Sequence, residues 1–579
     1  MKKLCLIGKR TARLTILTLS IALCVPCTSI ALSNAATLIP TWSNAELVPG
    51  STALNAGNSA SLGPSSISCT SIGNCSAGGT YKDDSGNRQA FVVDEVKGRW
   101  GDAFEIPGLG AMNTGGDVTM NALACASPGN CGAGGSYKNN ASGIVYAYLV
   151  SEVAGQWGNA QTVGISSLGT TTIDSISCPS PGNCTAGGSY VAVTPQNFVI
   201  DETNGNWGTP QQVPNLNVLN QGAVGPLSIS CASAGNCSAS ATYTDGSGHV
   251  QGYVVSEANG AWGNSQEIPG LGVLNAGNSV EVTSISCASA GNCSAGGTYY
   301  SNPLVSQAFV VNEVGGSWSD AQLVPGSEQL NVGGSAVMRS ISCTTPGNCS
   351  AGGGYSLSSG GSEVFVVDEV NGTWGSAVVL PGSQQLNTAE YDLMNVISCS
   401  SPGNCSAGGQ YNVDPGSESF YADEVNGVWG QAIQVPGSLA LGVGSAVNSL
   451  SCSADGYCAA GGASGDGSGI NFQVFIAEKP APSSAPSGPS SPTSLMSGPS
   501  TLSLTGFNLL SPTLLLLALF SAGGLTMFAC QVQRRKGRRR RVTLKNADPQ
   551  DPASGVAGSL SHQGLANIGV KRDIFSLLS

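Results

Sequence analysis

The chain has 579 residues, of which 81 are glycine and only 10% are charged, with a formal net charge of −12. That length exceeds what one hydrophobic core organises, and so much glycine with so little charge argues against a helical protein and for short strands joined by tight turns. Between Trp42 and Glu478 there are 31 Asp and Glu against six Lys and Arg, a net of −25. Such a body repels phosphate backbones, so no nucleic-acid partner is expected.

In chain order, Lys2, Lys3, Lys9, Arg10 and Arg13 precede an apolar run from Leu14 to Val25. The run has the length of a signal-peptide core and is too short to span a bilayer. Small residues follow in Ser33-Asn34-Ala35-Ala36, so residues 1–35 read as a signal peptide cleaved near Ala35. An uncleaved anchor is the alternative.

Residues 36–478 are repetitive. Sixteen of the 20 cysteines form eight C-x5-C pairs: Cys69/Cys75, Cys125/Cys131, Cys178/Cys184, Cys231/Cys237, Cys287/Cys293, Cys343/Cys349, Cys399/Cys405 and Cys452/Cys458. Their first members are 53 or 56 residues apart, and the eight tryptophans (Trp42, Trp100, Trp157, Trp207, Trp262, Trp318, Trp374, Trp429) follow the same period. In the fifth unit four strands are predicted: Ser284–Cys287, Cys293–Tyr299, Gln307–Glu313 and Trp318–Val324. β-branched and aromatic runs such as Phe365-Val366-Val367 support the third. Four strands in roughly 55 residues is the arithmetic of a propeller blade.

Asn-Gly at Asn204-Gly205, Asn259-Gly260, Asn371-Gly372 and Asn426-Gly427 predicts a type I′ hairpin between the third and fourth strands. A two-residue turn then sets Glu369 opposite Trp374 in a position where side chains come close. The same spacing pairs Glu95/Trp100, Glu152/Trp157, Glu202/Trp207, Glu257/Trp262, Glu313/Trp318 and Glu424/Trp429, with the indole N–H expected to donate to the carboxylate. Trp42 has no blade before it, and the final unit, ending at Glu478, has no tryptophan after it. The N-terminal strand is therefore expected to complete the last blade and close the ring. The fold predicted is all-β: an eight-bladed β-propeller of four-stranded blades closed by the N-terminal strand, plus one C-terminal transmembrane helix. An open solenoid is the main alternative.

The unit Ser-Ile-Ser-Cys … Gly-Asn-Cys-Ser-Ala-Gly-Gly-x-Tyr … Ala-Phe-Val-Val-x-Glu … Gly-x-Trp-Gly-x-Ala, nearly intact over Ser284–Trp318, resembles a repeat of secreted actinobacterial proteins. It is more distantly similar to kelch and Asp-box propeller repeats. The resemblance implies a Gram-positive surface protein and brings no activity with it. The third unit shortens its connection over Val191–Asn197, and the eighth replaces Gly-Asn with Gly456-Tyr457.

Behind a signal peptide, regular even cysteine pairs are expected to be disulfides. Zinc would need four ligands, whereas each pair sits in its own blade and the ring has one histidine, His249. Counting Glu478 for the last unit, each blade has a glutamate at one equivalent position. A ring of carboxylates is a surface that Ca2+ could use; the plainer reading is a cross-strand pair that fixes each hairpin. No other cofactor is expected. Asp83-Asp84-Ser85-Gly86-Asn87 and Asp245-Gly246-Ser247-Gly248 read as turns, lacking the distal glutamate of a calcium loop. The ring's arginines, Arg88, Arg99 and Arg339, are too few and scattered for a sialidase-like site, and no catalytic constellation is evident.

Residues 479–508 are rich in Pro, Ser and Gly and read as a stalk. Leu509 to Cys530 carries no charge over 22 residues, about 33 Å of helix, so residues 509–532 read as a membrane span. Arg534, Arg535, Lys536 and Arg538–Arg541 follow, placing the basic cluster and tail, residues 533–579, in the cytoplasm. Leu502-Ser503-Leu504-Thr505-Gly506 resembles a sortase signal, but Ser503 and the long tail favour a retained helix. The expected protein is a cell-membrane, single-pass recognition or adhesion scaffold whose propeller loops bind an extracellular glycan, wall polymer or protein. An extracellular glycan-active hydrolase or lyase is the alternative.

Overall fold

The computed structural model describes residues 41–164, 169–389, 391–413, 416–466 and 471–482. The expected leader, stalk beyond residue 482, membrane span and tail lie outside the described residues. Among the described residues no helix is long and apolar enough to cross a membrane.

Each repeat folds into one antiparallel sheet. In blade five the inner strand is Val280–Ser289, the second Asn292–Asn302, the third Val305–Val314, and the outer strand is made of Ser317–Trp318 and Gln322–Leu323. The third strand is an unbroken apolar run because blades cover both its faces: Phe309, Val310 and Val311 are all at most 1% exposed. The preceding Ala-Gly-Gly lets the blades approach. A Cβ on Gly296 would stand 2.8 Å from Ile341 of blade six, and one on Gly297 would overlap the Glu281 carbonyl.

Inner strands of consecutive blades lie side by side, and that of blade eight (Ala446–Cys452) lies beside that of blade one (Ser61–Ser71). These eight sheets thus form a closed, eight-bladed propeller. Blade eight continues through Cys458–Gly465 and Phe472–Lys479 and takes its outer strand, Glu46–Leu47, from the other end of the chain. Glu46 pairs with Ile476 and Leu47 with Phe475, while Ser43 N–H donates to the Glu478 carbonyl at 2.7 Å.

Two local features differ from the sequence reading. The outer strand is broken: Trp374 pairs with Glu369 but Val378 with Val366, so one extra residue bulges out between them. A four-residue helical turn then follows, as at Ser327–Leu330, entered through a left-handed glycine (Gly326, φ 81°). No helical turn is visible in the hydrophobic pattern, because four residues are too few to show a period.

The inner strand leaves one edge without a strand partner, and its serines meet that need. In Ser-Ile-Ser-Cys, the serine before the cysteine accepts the backbone N–H of the next blade's cysteine. Cys343 N–H reaches Ser286 Oγ at 2.9 Å, Cys399 reaches Ser342 at 3.0 Å, and Cys69 reaches Ser451 of blade eight at 2.9 Å. Seven of the eight seams have this bond; the seam from blade two to blade three lacks it because Ala124 stands where the serine would be. Replacing Ala124 by Ser is expected to stabilise the ring by about 1 kcal/mol, and Ser286→Ala to destabilise it by a similar amount. Opposite shifts of the thermal midpoint in calorimetry would check this; equal or absent shifts would contradict it.

Candidate functional site

Two turns meet on one rim of every blade from one to seven. The turn joining third and outer strands donates a backbone bond to the turn of the cysteine hairpin, from Gly98 N–H to Gly73 C=O through Gly427 N–H to Gly403 C=O, at 2.8–2.9 Å. Asn371 (φ 52°) and Gly372 (φ 79°) are both left-handed, as a type I′ turn requires. Disulfides join Cys69–Cys75, Cys125–Cys131, Cys178–Cys184, Cys231–Cys237, Cys287–Cys293, Cys343–Cys349, Cys399–Cys405 and Cys452–Cys458, each staying within its own hairpin. In blades one to seven this hairpin rim is therefore held by both a backbone bond and a disulfide.

The glutamates and tryptophans lie just beneath it. Glu95/Trp100, Glu152/Trp157, Glu202/Trp207, Glu257/Trp262, Glu313/Trp318, Glu369/Trp374 and Glu424/Trp429 are cross-strand neighbours. The expected indole-to-glutamate bond is not what forms. Each indole instead reaches back to the preceding blade, to the residue one before that blade's glutamate position. Trp157 donates to Asp94 at 3.0 Å, Trp207 to Ser151 at 2.9 Å, Trp318 to Ser256 at 3.2 Å, Trp374 to Asn312 at 3.2 Å and Trp429 to Asp368 at 3.2 Å. Trp42 reaches Asp423 at 3.2 Å and Trp100 reaches Glu478 at 2.6 Å. Trp262 faces Asp201 at the edge of bonding geometry. Side chains directly opposite in a twisted hairpin both lean toward the neighbouring blade, so they share a partner there and do not bond each other.

The same geometry corrects the count of glutamates. Glu478 pairs with Ala459 and Lys479 with Cys458, the register that Glu369 holds with Cys349. Glu478 therefore occupies the position of Asp94 or Ser151, and the eighth blade has Lys479 where the others have glutamate. Nor do the seven glutamates form an exposed ring: each is only 2–5% exposed, within a seam between blades. Among the described residues no three His, Cys, Asp or Glu side chains stand together in a metal-holding group.

The seams solve the burial of these carboxylates in three ways. Where the preceding blade offers a neutral donor, the glutamate is hydrogen-bonded: Ser151 donates to Glu202 at 2.7 Å, Ser256 to Glu313 at 2.7 Å, and the Asn312 amide to Glu369. Between blades seven and eight, Lys479 Nζ meets Asp423 Oδ1 at 2.9 Å. At the four remaining seams two acids face each other: Asp94/Glu152, Asp201/Glu257, Asp368/Glu424 and Glu478/Glu95. Burial, with the neighbouring acid adding to it, pushes Glu152 up to about 8 and Glu257 and Glu424 to about 7. Burial also dominates at Glu95, raised to about 7 although it accepts the Tyr457 hydroxyl at 2.8 Å.

Between blades one and two the hairpin rim opens into a cleft of about 240 Å³, with Asp94, Glu95, Glu152, Ser76 and Asn74 among its lining. Glu152 Oε2 and Glu95 Oε2 are buried there without a hydrogen-bond partner. Sequence reasoning missed this cleft, because it needs residues of two repeats and a seam that the repeat pattern makes look equivalent to its neighbours.

Other candidates are dispersed. Arg88 begins the third strand of blade one and bonds Asp117 at 3.4 Å, Arg99 lies in that blade's outer hairpin turn, and Arg339 is on the inner strand of blade six. Asp83 and Asp245 close turns by accepting backbone N–H groups of Ser85 and Asn87, and of Ser247 and His249. One departure from the repeat escaped notice: Asp392 starts the inner strand of blade seven, where other blades have Val118, Thr171, Val280, Ala336 or Ala446. It is 2% exposed, and burial followed by the facing Glu363 pushes it up to about 8.

No family model matches this chain, and no curated protein does. Solved structures similar to it include a phage phi92 endosialidase (11% identity, 79% of this chain and 72% of that one, TM-score 0.35). Another is Chaetomium thermophilum Sqt1 bound to the N-terminus of ribosomal protein L10 (13%, 72% and 96%, TM-score 0.40). A third is a polysaccharide lyase, the PL25 ulvan lyase (10%, 72% and 94%, TM-score 0.35). At such identities no functional residue transfers to this chain.

The acidic seams set a pH dependence. A carboxyl whose folded value is raised from 4.5 to about 7 or 8 adds stability that is full below 4.5 and is lost as pH rises through 7–8. The thermal midpoint is expected to fall between pH 5 and pH 9, and Glu152→Gln with Glu257→Gln to flatten that fall. A midpoint that rises over this range would sink the assignment.

Proposed function

We propose that this chain is a membrane-anchored recognition scaffold, on the Gram-positive surface that its repeat resemblance implies, binding a glycan or wall polymer through the hairpin rim. The observation that carries this reading is a repeated apolar stud. The residue after the seam glutamate points into solvent as Val96, Val153, Val314, Val370 and Val425, between 38% and 67% exposed, at equivalent places around the ring. Exposed valines held on turns that are bonded and disulfide-clipped are contacts with little conformational freedom left to lose on binding. Their repetition suits a polymer with its own repeat, because weak contacts made at once by several blades add up to useful avidity. The opposite rim is less regular, with second-to-third-strand connections of differing length and exposed Val218 and Val273 on its helical turns.

The test is a glycan and cell-wall polymer array probed with the full chain, with and without Ca2+, while bound polymers are assayed for cleavage. Saturable binding without products is expected. Replacing Val96, Val153, Val314 and Val370 by Ser should weaken it by at least about tenfold, whereas replacing Val218 and Val273 should not. Products released from a polymer would overturn the scaffold reading in favour of a hydrolase or lyase, and loss of binding only in the second variant would move the contact to the other rim.

A further inference from the structure

The cleft between blades one and two has an internal counterpart that shows what it lacks. Asp423 of blade seven stands in register with Ser406, as Asp94 stands with Ser76 in blade one. At the seven–eight seam that Asp-Ser pair holds an ammonium: Lys479 Nζ lies 2.9 Å from Asp423 Oδ1 and 2.9 Å from Ser406 Oγ. At the one–two seam the same pair faces Glu152, which replaces the lysine. The positive charge is gone, a second carboxyl group takes its place, and a cavity remains.

Each glutamate left behind keeps one carboxyl oxygen without a partner. Glu152 is 3% and Glu95 2% exposed, both line the cleft, and the Oε2 of each has no hydrogen-bond partner. A buried carboxylate without a partner costs free energy that a cation or a hydroxyl donor entering the cleft recovers. The entrance is open to solvent, flanked by exposed Val96 and Pro128. A volume of about 240 Å³ exceeds what a lone cation needs, and the unpartnered Oε2 atoms of Glu95 and Glu152 offer acceptors to sugar hydroxyls. Among the described residues, the acids of this cleft do not stand together as a metal-holding group.

We propose that this cleft is a binding site for an unacetylated amino sugar, whose ammonium group sits between Asp94 and Glu152 as the ammonium of Lys479 sits on Asp423. The proposal rests on the recognition reading above and names a ligand class and one seam for it. The sugar ring lies toward the hairpin rim, next to Val96. Acetylating the amine removes the charge and lengthens the group, so the site discriminates free from acetylated hexosamine. Charge-assisted bonds to buried acids are the strong kind, which is where the discrimination arises.

Titration calorimetry of the full chain with glucosamine, N-acetylglucosamine and cadaverine tests this. Saturable binding of glucosamine is expected at one site, with N-acetylglucosamine and cadaverine each weaker by at least about tenfold. Cadaverine binding as tightly would overturn the sugar assignment, and N-acetylglucosamine binding as tightly would overturn the ammonium assignment. Glu152→Lys copies the seven–eight seam, should keep the fold, and is expected to abolish glucosamine binding by filling the cleft from within. Glu152→Gln provides a second variant, expected to weaken binding at least about tenfold. Glucosamine binding unchanged in both overturns the site. Polymer binding on the array that persists in Glu152→Lys separates failure of this site from failure of the scaffold reading.

Discussion

The structure depends on how its innermost strands satisfy an edge that no strand covers. In a ring of separate sheets each blade turns one backbone edge toward the axis, where neighbouring blades crowd together. The hydroxyl of the serine before each first cysteine supplies the missing acceptor to the next blade, seven times around the ring. A hydroxyl suits the task because it is short enough to fit between strands and can rotate toward either a donor or an acceptor. That bond aligns each inner strand with the next, and the rest of each blade is built outward from this alignment.

Farther from the axis the blades meet through the seam residues, and there the repeat is least uniform. The indole of one blade always turns toward the blade before it, but what it finds is Asp, Ser, Asn or Glu. Ser and Asn satisfy the facing glutamate by donating a hydrogen bond to it. Asp leaves two acids together, and burial, with the neighbouring acid adding to it, pushes the glutamate up to about 7 or 8. One seam replaces the glutamate by Lys479 and becomes an ion pair. Similar backbone geometry thus gives seams of differing charge, and this variation distinguishes positions around a ring that is otherwise nearly symmetric.

Much of the architecture was legible because its determinants are local. The spacing of Cys287 and Cys293 places them opposite each other in one hairpin, and Asn371-Gly372 selects a turn that puts Glu369 across from Trp374. Closure was legible too, since Trp42 lacks a blade and the last unit lacks a tryptophan. What escaped was whatever acts between blades. Trp157 finds Asp94 at 63 residues' distance, and Cys343 finds Ser286 at 57, through packing that no local pattern reports. The four-residue helical turns and the bulge after Trp374 escaped for another reason, being too short to show a period.

The sequence by itself determined the number of blades, the order of strands within each, the disulfide pairs and the strand that closes the ring. All of these follow from spacing within a hairpin or from counting units. Only the tertiary structure decided which side chain each indole bonds, that Lys479 holds the glutamate position in blade eight, and that Asp94 and Glu152 meet beside a cleft. Those outcomes depend on the twist and stacking of one blade against another, where residues more than fifty positions apart become neighbours.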